Sequence, residues 1–547
     1  MQPRWSKPIQ TRDPKPPAHT TPAIETAETN LPARPDPSLP PTAEESAPPL
    51  DGSLTQKVGK GVAWLMIQAI GTKGATNLAQ IILAWMLSER DFGVWSMATT
   101  ATAFASLAQQ AGQREILIQR HAHFDRWANP AFWMALLMGC IGMVAMIAAA
   151  PLAALVFHHE LRLIPIIMIL AICAPIDALA VVPNARLQTQ MRFRTIGTVG
   201  IATAVLTLIL QVLFASPLCN FGVYSFVLPR PAVSLITTVA YWWAAPIKIR
   251  RNPQFRRWKY MIKDSGAIWG LAVTGAIIMY GDNLTIGIIC GDKILGLYGF
   301  AYNFSYQTVQ LVLSNLQSAL FPALTKLAAD PVRQVNAYLR AARISAVVGC
   351  FGSLLQAVLA APMIHFVFDP KWYPAIPVFQ VLSISTAINS LCGPIVSLFQ
   401  AQGRFAFFFR YQLFTTALFI VAVVIGALKA EALGVAWGLL ILNFLITPLT
   451  VTLAVRPGNV DFRQVLGYII PTAGLAVLAV IPALAVSVAL HAWSVKSNAL
   501  TVVLGIGLSG PLCLLVLKTW QPWVWQEFTR ALRGRSLQVK LVSRART

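Results

Sequence analysis

From Gly61 onward, long apolar runs alternate with short polar stretches. Fourteen runs are candidate spans, at roughly 61–86, 92–113, 129–155, 162–185, 195–216, 221–245, 266–290, 296–321, 342–367, 374–400, 406–427, 432–455, 466–490 and 499–518. Each is long enough to cross a bilayer as a helix, which takes about 20 residues. The short alternating segments of a membrane β-barrel are absent. The pattern predicts an all-α polytopic membrane protein with about 14 transmembrane helices. Prolines 165, 175 and 183 predict an irregular fourth helix.

The polar interruptions repeat. QTQMRF at Gln188–Phe193 returns as QAQGRF at Gln400–Phe405, an offset of 212. FGVYSFV at Phe221–Val227 resembles LGVAWGL at Leu433–Leu439, also at 212, and FGVWSMA at Phe92–Ala98 resembles LGLYGFA at Leu295–Ala301, at 203. Three matches in one order at near-constant offset mark a duplication. The offset spans six helices, an even number, so the copies share one topology and form parallel repeats. The expected domains are a disordered Pro-rich tail over 1–56, a first lobe over 57–250, a second lobe over 251–456, two further helices over 457–520 and a basic tail over 521–547. Two similar bundles that rock about a midplane site suit a transporter.

Composition agrees. The 547 residues are 56% hydrophobic and 12% charged, too apolar for one water-soluble core. Thirteen of the first 50 residues are proline, which precludes a regular helix there, and no apolar signal-peptide region is present. The net charge is +22. Alternate loops divide it unequally: one set holds 21 Lys/Arg, the other only Arg90, Arg162, Lys293, Lys371, Lys429 and Lys496. The basic set is expected on the cytoplasmic side with both termini, and its charge suits anionic lipid rather than nucleic acid. The seven cysteines lie in or beside apolar runs and suggest neither disulfides nor a metal site.

Charged groups within spans narrow the chemistry. Lys73 in GTKGATN and Arg230 in FVLPRPAV each cost about 3 kcal/mol against lipid, so both are expected to face a cavity or a partner. Pro229 and Pro231 predict a break in the sixth helix at Arg230. Two readings stay open for this lobe: a midplane anion site, or an internal ion pair with Asp177. Asp282, in MYGDNLT, either pairs across the lobes or couples transport to a proton or sodium gradient. Gln68, Thr72, Thr76 and Gln80 recur every four residues beside Lys73 and Asn77, which puts them on one helix face. Similar stripes run from Thr99 to Gln113 and, with Asn303 and Gln307, from Asn303 to Gln317. They predict either a wet central cavity or hydrogen-bonded helix seams. GIGLSG at Gly505–Gly510 lacks the strand a dinucleotide fingerprint needs and reads as helix packing. No phosphate-binding ATPase loop is present.

QTQMRF after the fourth span, DKILGLYGFAYNFSYQ and SALFPALTKLAADPVR resemble segments of the polysaccharide transporter family, within the multidrug/oligosaccharidyl-lipid/polysaccharide flippase superfamily. The resemblance covers roughly 57–520. It implies a two-lobed, MATE-like fold of 12 to 14 helices that moves a polyprenyl-diphosphate-linked oligosaccharide across the bacterial inner membrane. That export would serve exopolysaccharide, capsule or lipopolysaccharide assembly, beside a polymerase and a chain-length regulator and without a bound cofactor. Lys73 and Arg230 are then the expected diphosphate ligands, chosen for depth and burial. A small-molecule exporter of the same fold and a membrane polysaccharide polymerase or ligase remain alternatives. The short outer loops lack the paired acids or histidines of such an enzyme.

Overall fold

The structure, a computed structural model, describes residues 52–106, 117, 124–157, 160–325, 327–492, 497–520 and 522. Along several helical stretches, among them 52–63, 259–272 and 310–319, it describes the backbone alone. The chain divides into two compact units, 1–55 and 56–547. Almost all of the expected tails, 1–56 and 521–547, lies outside the described residues.

Helix follows helix, and among the described residues there is no strand. The first half of the repeat holds α1 (Gly52–Met86), α2 (Glu89–Ser106), α3 (Phe124–Val156), α4 (Leu163–Thr189), α5 (Phe193–Ala215) and α6 (Pro229–Ala244). The second half holds α7 (Phe255–Ile289), α8 (Asp292–Thr325), α9 (Pro331–Val367), the short pair α10 (Ile376–Ser390) and α11 (Ile395–Ala401), and α12 (Phe405–Val455). Last come α13 (Phe462–Ala492) and α14 (Asn498–Trp520), which pack on each other and on α9. Non-helical φ/ψ at Ala430 and Glu431 divides α12 into two arms, which fit the eleventh and twelfth expected spans. Among the described residues, nine segments are long and apolar enough to cross a membrane, from Phe124–Val156 to Asn498–Thr519. Helices α1, α2, α7 and α8 lie outside that set. They carry the polar faces.

Two prolines do not act as expected. The fourth span is a continuous helix through Pro175 and Pro183. A proline leaves the carbonyl four residues earlier without its amide partner. Pro183 would orphan the carbonyl of Leu179, and the indole Nε1 of Trp242 on α6 donates to that oxygen at 2.9 Å. A neighbouring helix thus satisfies the freed group and lets the helix run on. The sixth span is interrupted upstream of Arg230 rather than at it: a 3₁₀ turn at Gly222–Phe226 precedes α6, which starts at Pro229 and holds both prolines in its first turn, where a missing amide is tolerated.

The QTQMRF and QAQGRF turns are the same structure. Arg192 N donates to Leu187 O at 2.9 Å, and Arg404 N to Phe399 O at 3.3 Å. Met191 (φ 54°) and Gly403 (φ 67°) occupy the left-handed region at equivalent positions. Each arginine then clamps the end of a later helix: Arg192 Nη1 reaches Ala244 O at 2.7 Å, and Arg404 Nη1 reaches Leu453 O at 3.1 Å.

The other repeated pair packs against itself. Helix α2 crosses α8 where FGVWSMA meets LGLYGFA. A Cβ at Gly93 would stand 1.8 Å from Asp292 O, and one at Gly296 1.9 Å from Glu89 O. Both contacts are related by the offset of 203, so a pseudo-twofold axis passes through the crossing. Glycine alone lets the backbones approach this closely. Trp372 is fully buried beside it, stacked on Phe300 at 4.3 Å and donating Nε1 to Ala84 O at 2.9 Å. The main apolar core runs through this junction, from Leu83 and Phe92 to Phe379 and Val435.

Candidate functional site

Behind the crossing lie adjoining cavities. The first, about 440 Å³, is walled by Thr76 and Gln80 of α1, Ser96 and Thr99 of α2, Thr203, Thr207 and Gln211 of α5, and Arg230 of α6; Asn283, Tyr302 and Asn303 close it from α7 and α8. The second, about 580 Å³, is walled by Lys73, Asp282, Tyr302, Tyr306, Ser385, Thr386, Asn389 and Asn443. Met279 and Tyr302 line both, so the two compartments share a wall. A third of about 510 Å³ holds Thr102, Ser106, Asp177, Arg230 and Ser234.

Arg230 sits in the first turn of α6, just after the 3₁₀ break, and lines two of these cavities. The guanidinium favours an anion, and it acts without help from backbone amides: Pro229 and Pro231 carry no N–H, and Arg230 N already donates to Val227 O at 2.9 Å. Asp177 and Ser234 line the third cavity together with Arg230. Among the described ion pairs none joins Arg230 to Asp177.

The polar face of α1 divides. Thr76 and Gln80 line the first compartment and Lys73 the second, so Lys73 and Arg230 lie in neighbouring compartments rather than one. Gln68 instead packs against Gly200 of α5, and Thr72 donates to Gln68 O at 2.8 Å. Asn77 holds a buried Oδ1 with no hydrogen-bond partner, as does Gln80 at Oε1. On α2 the hydroxyls of Thr99 and Thr102 donate to carbonyls of their own helix, at 3.0 and 2.8 Å. Such back-bonded hydroxyls join no neighbouring helix and offer acceptor lone pairs to the cavity. Asn303 lines the first compartment, with Nδ2 on Gly299 O at 2.9 Å. The side chain of Gln307 lies outside the described residues.

Asp282 is buried. It accepts from Tyr298 Oη at 2.7 Å and from the amide of Asn283 at 2.7 Å. Among the described residues no group of three His, Cys, Asp or Glu side chains is placed to hold a metal. Ser385, Thr386, Asn389 and Asn443 were not anticipated. The spacing in LSISTAINS, with polar side chains three or four apart on one face of α10, was the available signal. Asn443 stands alone in an apolar run and gave none.

A charged pocket between two helical halves, each built from one copy of a duplicated segment, defines a multi-pass transporter fold. The family model described as polysaccharide biosynthesis protein matches residues 82–377, more than half of the chain, and the chain belongs to that family. It is 26% identical over 419 residues to the lipopolysaccharide biosynthesis protein WzxC of Escherichia coli (strain K12), covering 74% of this chain and 82% of that protein. It is 26% identical over 396 residues to the succinoglycan biosynthesis transport protein ExoT of Rhizobium meliloti (strain 1021), covering 71% and 78%. The lipid II flippase MurJ in an inward closed conformation superposes with a TM-score of 0.66 at 11% identity, over 85% of this chain and 99% of that one. The MurJ likeness is one of fold.

Proposed function

We propose that this protein carries a polyprenyl-diphosphate-linked oligosaccharide across the bacterial inner membrane by alternating access, and acts as a transporter rather than an enzyme. The observation that carries the reading is Arg230, held at a helix start inside a polar cavity between the lobes of a polysaccharide biosynthesis protein. The relatives' names, one of them a transport protein for a polysaccharide, point the same way. A polar head cannot cross hydrocarbon unaided, and a wet cavity can shelter it while the polyprenyl chain stays in lipid. Arg230 would hold the diphosphate by charge-assisted hydrogen bonds, with Lys73 meeting the same headgroup from the second compartment.

The excess of Lys/Arg in alternate loops supports cytoplasmic termini, with the α1–α2 and α7–α8 connections outside. The α2–α8 crossing would then form the outer closure. Polymerase and chain-length regulator partners would take over the flipped product. Asp282 is the group proposed to couple transport to a proton or sodium gradient. In proteoliposomes, wild type should flip a fluorescent lipid-linked oligosaccharide, and Arg230→Ala and Lys73→Ala should each slow it by about tenfold or more. Wild-type rates in both variants would overturn the reading. Asp282→Asn should abolish the response to an imposed gradient; an unchanged response removes the coupling role.

A further inference from the structure

We propose that the second compartment is a subsite for neutral, hydroxyl-rich sugar residues, separate from the Arg230 anion site; this rests on the flippase reading above. Two walls carry the argument. One is aromatic: Tyr298, Tyr302 and Tyr306 recur every four residues along α8. Their rings stack in series, with centroids 6.1 and 5.0 Å apart and planes 22° and 23° from parallel. Tyr302 and Tyr306 line the compartment.

The other wall is a row of amides and hydroxyls from two further helices. Asn443 Nδ2 donates to Ser385 Oγ at 2.9 Å, and Asn389 Nδ2 donates to Asn443 Oδ1 at 3.4 Å. Each carboxamide carries two N–H donors and two acceptor lone pairs. These two bonds leave Asn389 and Asn443 with donors and acceptors to spare, and both residues line the cavity.

A pyranose has matching chemistry. Its C–H face is apolar and packs on an aromatic ring, while its hydroxyls both donate and accept, as amides do. The charges argue for a neutral ligand. Lys73 and Asp282 both line this space, one of each sign, whereas Arg230 lines only the other cavities. At about 580 Å³ the compartment falls in the size range of small-ligand sites. The wall shared at Met279 and Tyr302 puts a sugar here next to a diphosphate at Arg230. Specificity for the glycan and grip on the carrier would then belong to different compartments.

The test measures binding of full-length protein in nanodiscs to a panel of polyprenyl diphosphates. Some carry neutral hexoses, one a uronic acid, one no sugar. Wild type should bind at least one neutral-sugar lipid about tenfold more tightly than the sugar-free lipid. Tyr306→Leu and Asn389→Leu should erase that preference and leave sugar-free binding within about twofold, whereas Arg230→Ala should weaken every lipid. Tyr306→Phe, which keeps the ring and the packing, should keep the preference. No neutral-sugar preference in wild type, a stronger preference for the uronic acid, or a Tyr306→Leu loss equal across the panel overturns the subsite. If wild type binds no polyprenyl diphosphate at all, the flippase reading falls and the subsite with it.

Discussion

The α2–α8 crossing and the cavities behind it are built from the same duplicated helices, yet they treat the duplication in opposite ways. At the crossing the two copies make reciprocal contacts: Gly93 faces Asp292 O, and Gly296 faces Glu89 O. In the cavities the copies diverge. Lys73 stands where the repeat places Ala276, and Asp282 where it places Ala79, counting by the offset of 203. Arg230 answers to Leu442 at the offset of 212. The duplication gives a symmetric close contact, and the charges stand in single copies. A polar headgroup with a charged end and a sugar end needs an asymmetric site, and only positions outside the close contact were free to provide one.

The largest effect should come from breaking the crossing. A Cβ at Gly296 or Gly93 would sit inside a backbone carbonyl, and backbone cannot swing aside as a side chain can. Gly296→Leu should therefore cost more than about 3 kcal/mol, at the severe end of overpacking. The expected readout is loss of folded protein from the membrane or a large fall in unfolding temperature in detergent. Gly275→Ala is the control, because a Cβ there meets nothing within 4 Å. Equal behaviour of the two variants would show that the crossing is not close-packed.

How far this was legible depends on the kind of signal. Among the described residues nine spans follow from apolar run length, because a bilayer imposes that length, whereas α1, α2, α7 and α8 fall outside that measure. The two lobes follow from repeated polar segments. The crossing was half visible: FGVWSMA and LGLYGFA matched, but nothing in either string says that the copies touch. Lys73 and Arg230 stood out because a lone cation in an apolar run is costly anywhere but a cavity. That they line neighbouring compartments depends on helix rotation, which a four-residue stripe leaves undetermined once the helix contacts two lobes. The continuous fourth helix was missed because its rescue comes from Trp242, 59 positions after Pro183.

A smaller effect is expected at the rim of the crossing. Arg90 bonds Asp292 at 3.1 Å, and Arg162 bonds Glu160 at 2.7 Å while lying 4.0 Å from Asp91 and 3.8 Å from Asp292. Two of the six cations in the sparse loops thus bridge the repeat halves. All five groups are partly solvated, so Arg162→Gln should cost no more than about 1 kcal/mol. Hydrogen bonding to Arg162 holds the Glu160 carboxyl below the usual glutamate range. A depressed carboxylate adds stability above its unfolded pKa, about 4.3, and loses it as pH falls through the folded value. Unfolding temperature in detergent should therefore drop below about pH 4, and by less in Arg162→Gln. Identical acid profiles would remove Glu160 from the account.

The smallest effect compares the two copies of one turn. Met191 and Gly403 hold the same left-handed conformation, with φ of 54° and 67°. A side chain there costs about 1–2 kcal/mol through the clash of Cβ with the following carbonyl. Glycine avoids the clash but gives up about 0.5–1 kcal/mol of unfolded-state entropy. Met191 is 44% exposed, so its side chain contributes little packing to lose. Met191→Gly should therefore stabilise by between zero and about 1 kcal/mol. Gly403→Ala should destabilise by a similar amount, because a Cβ there meets no atom within 4 Å and only the backbone term remains. Chemical unfolding of both variants in detergent reads the two signs directly. Opposite signs would show that the turn is set by backbone conformation, with the clamping by Arg192 and Arg404 acting on a shape already fixed. Equal signs would mean that the clamps hold the turn, and that Met191 is tolerated because Arg192 leaves it no alternative.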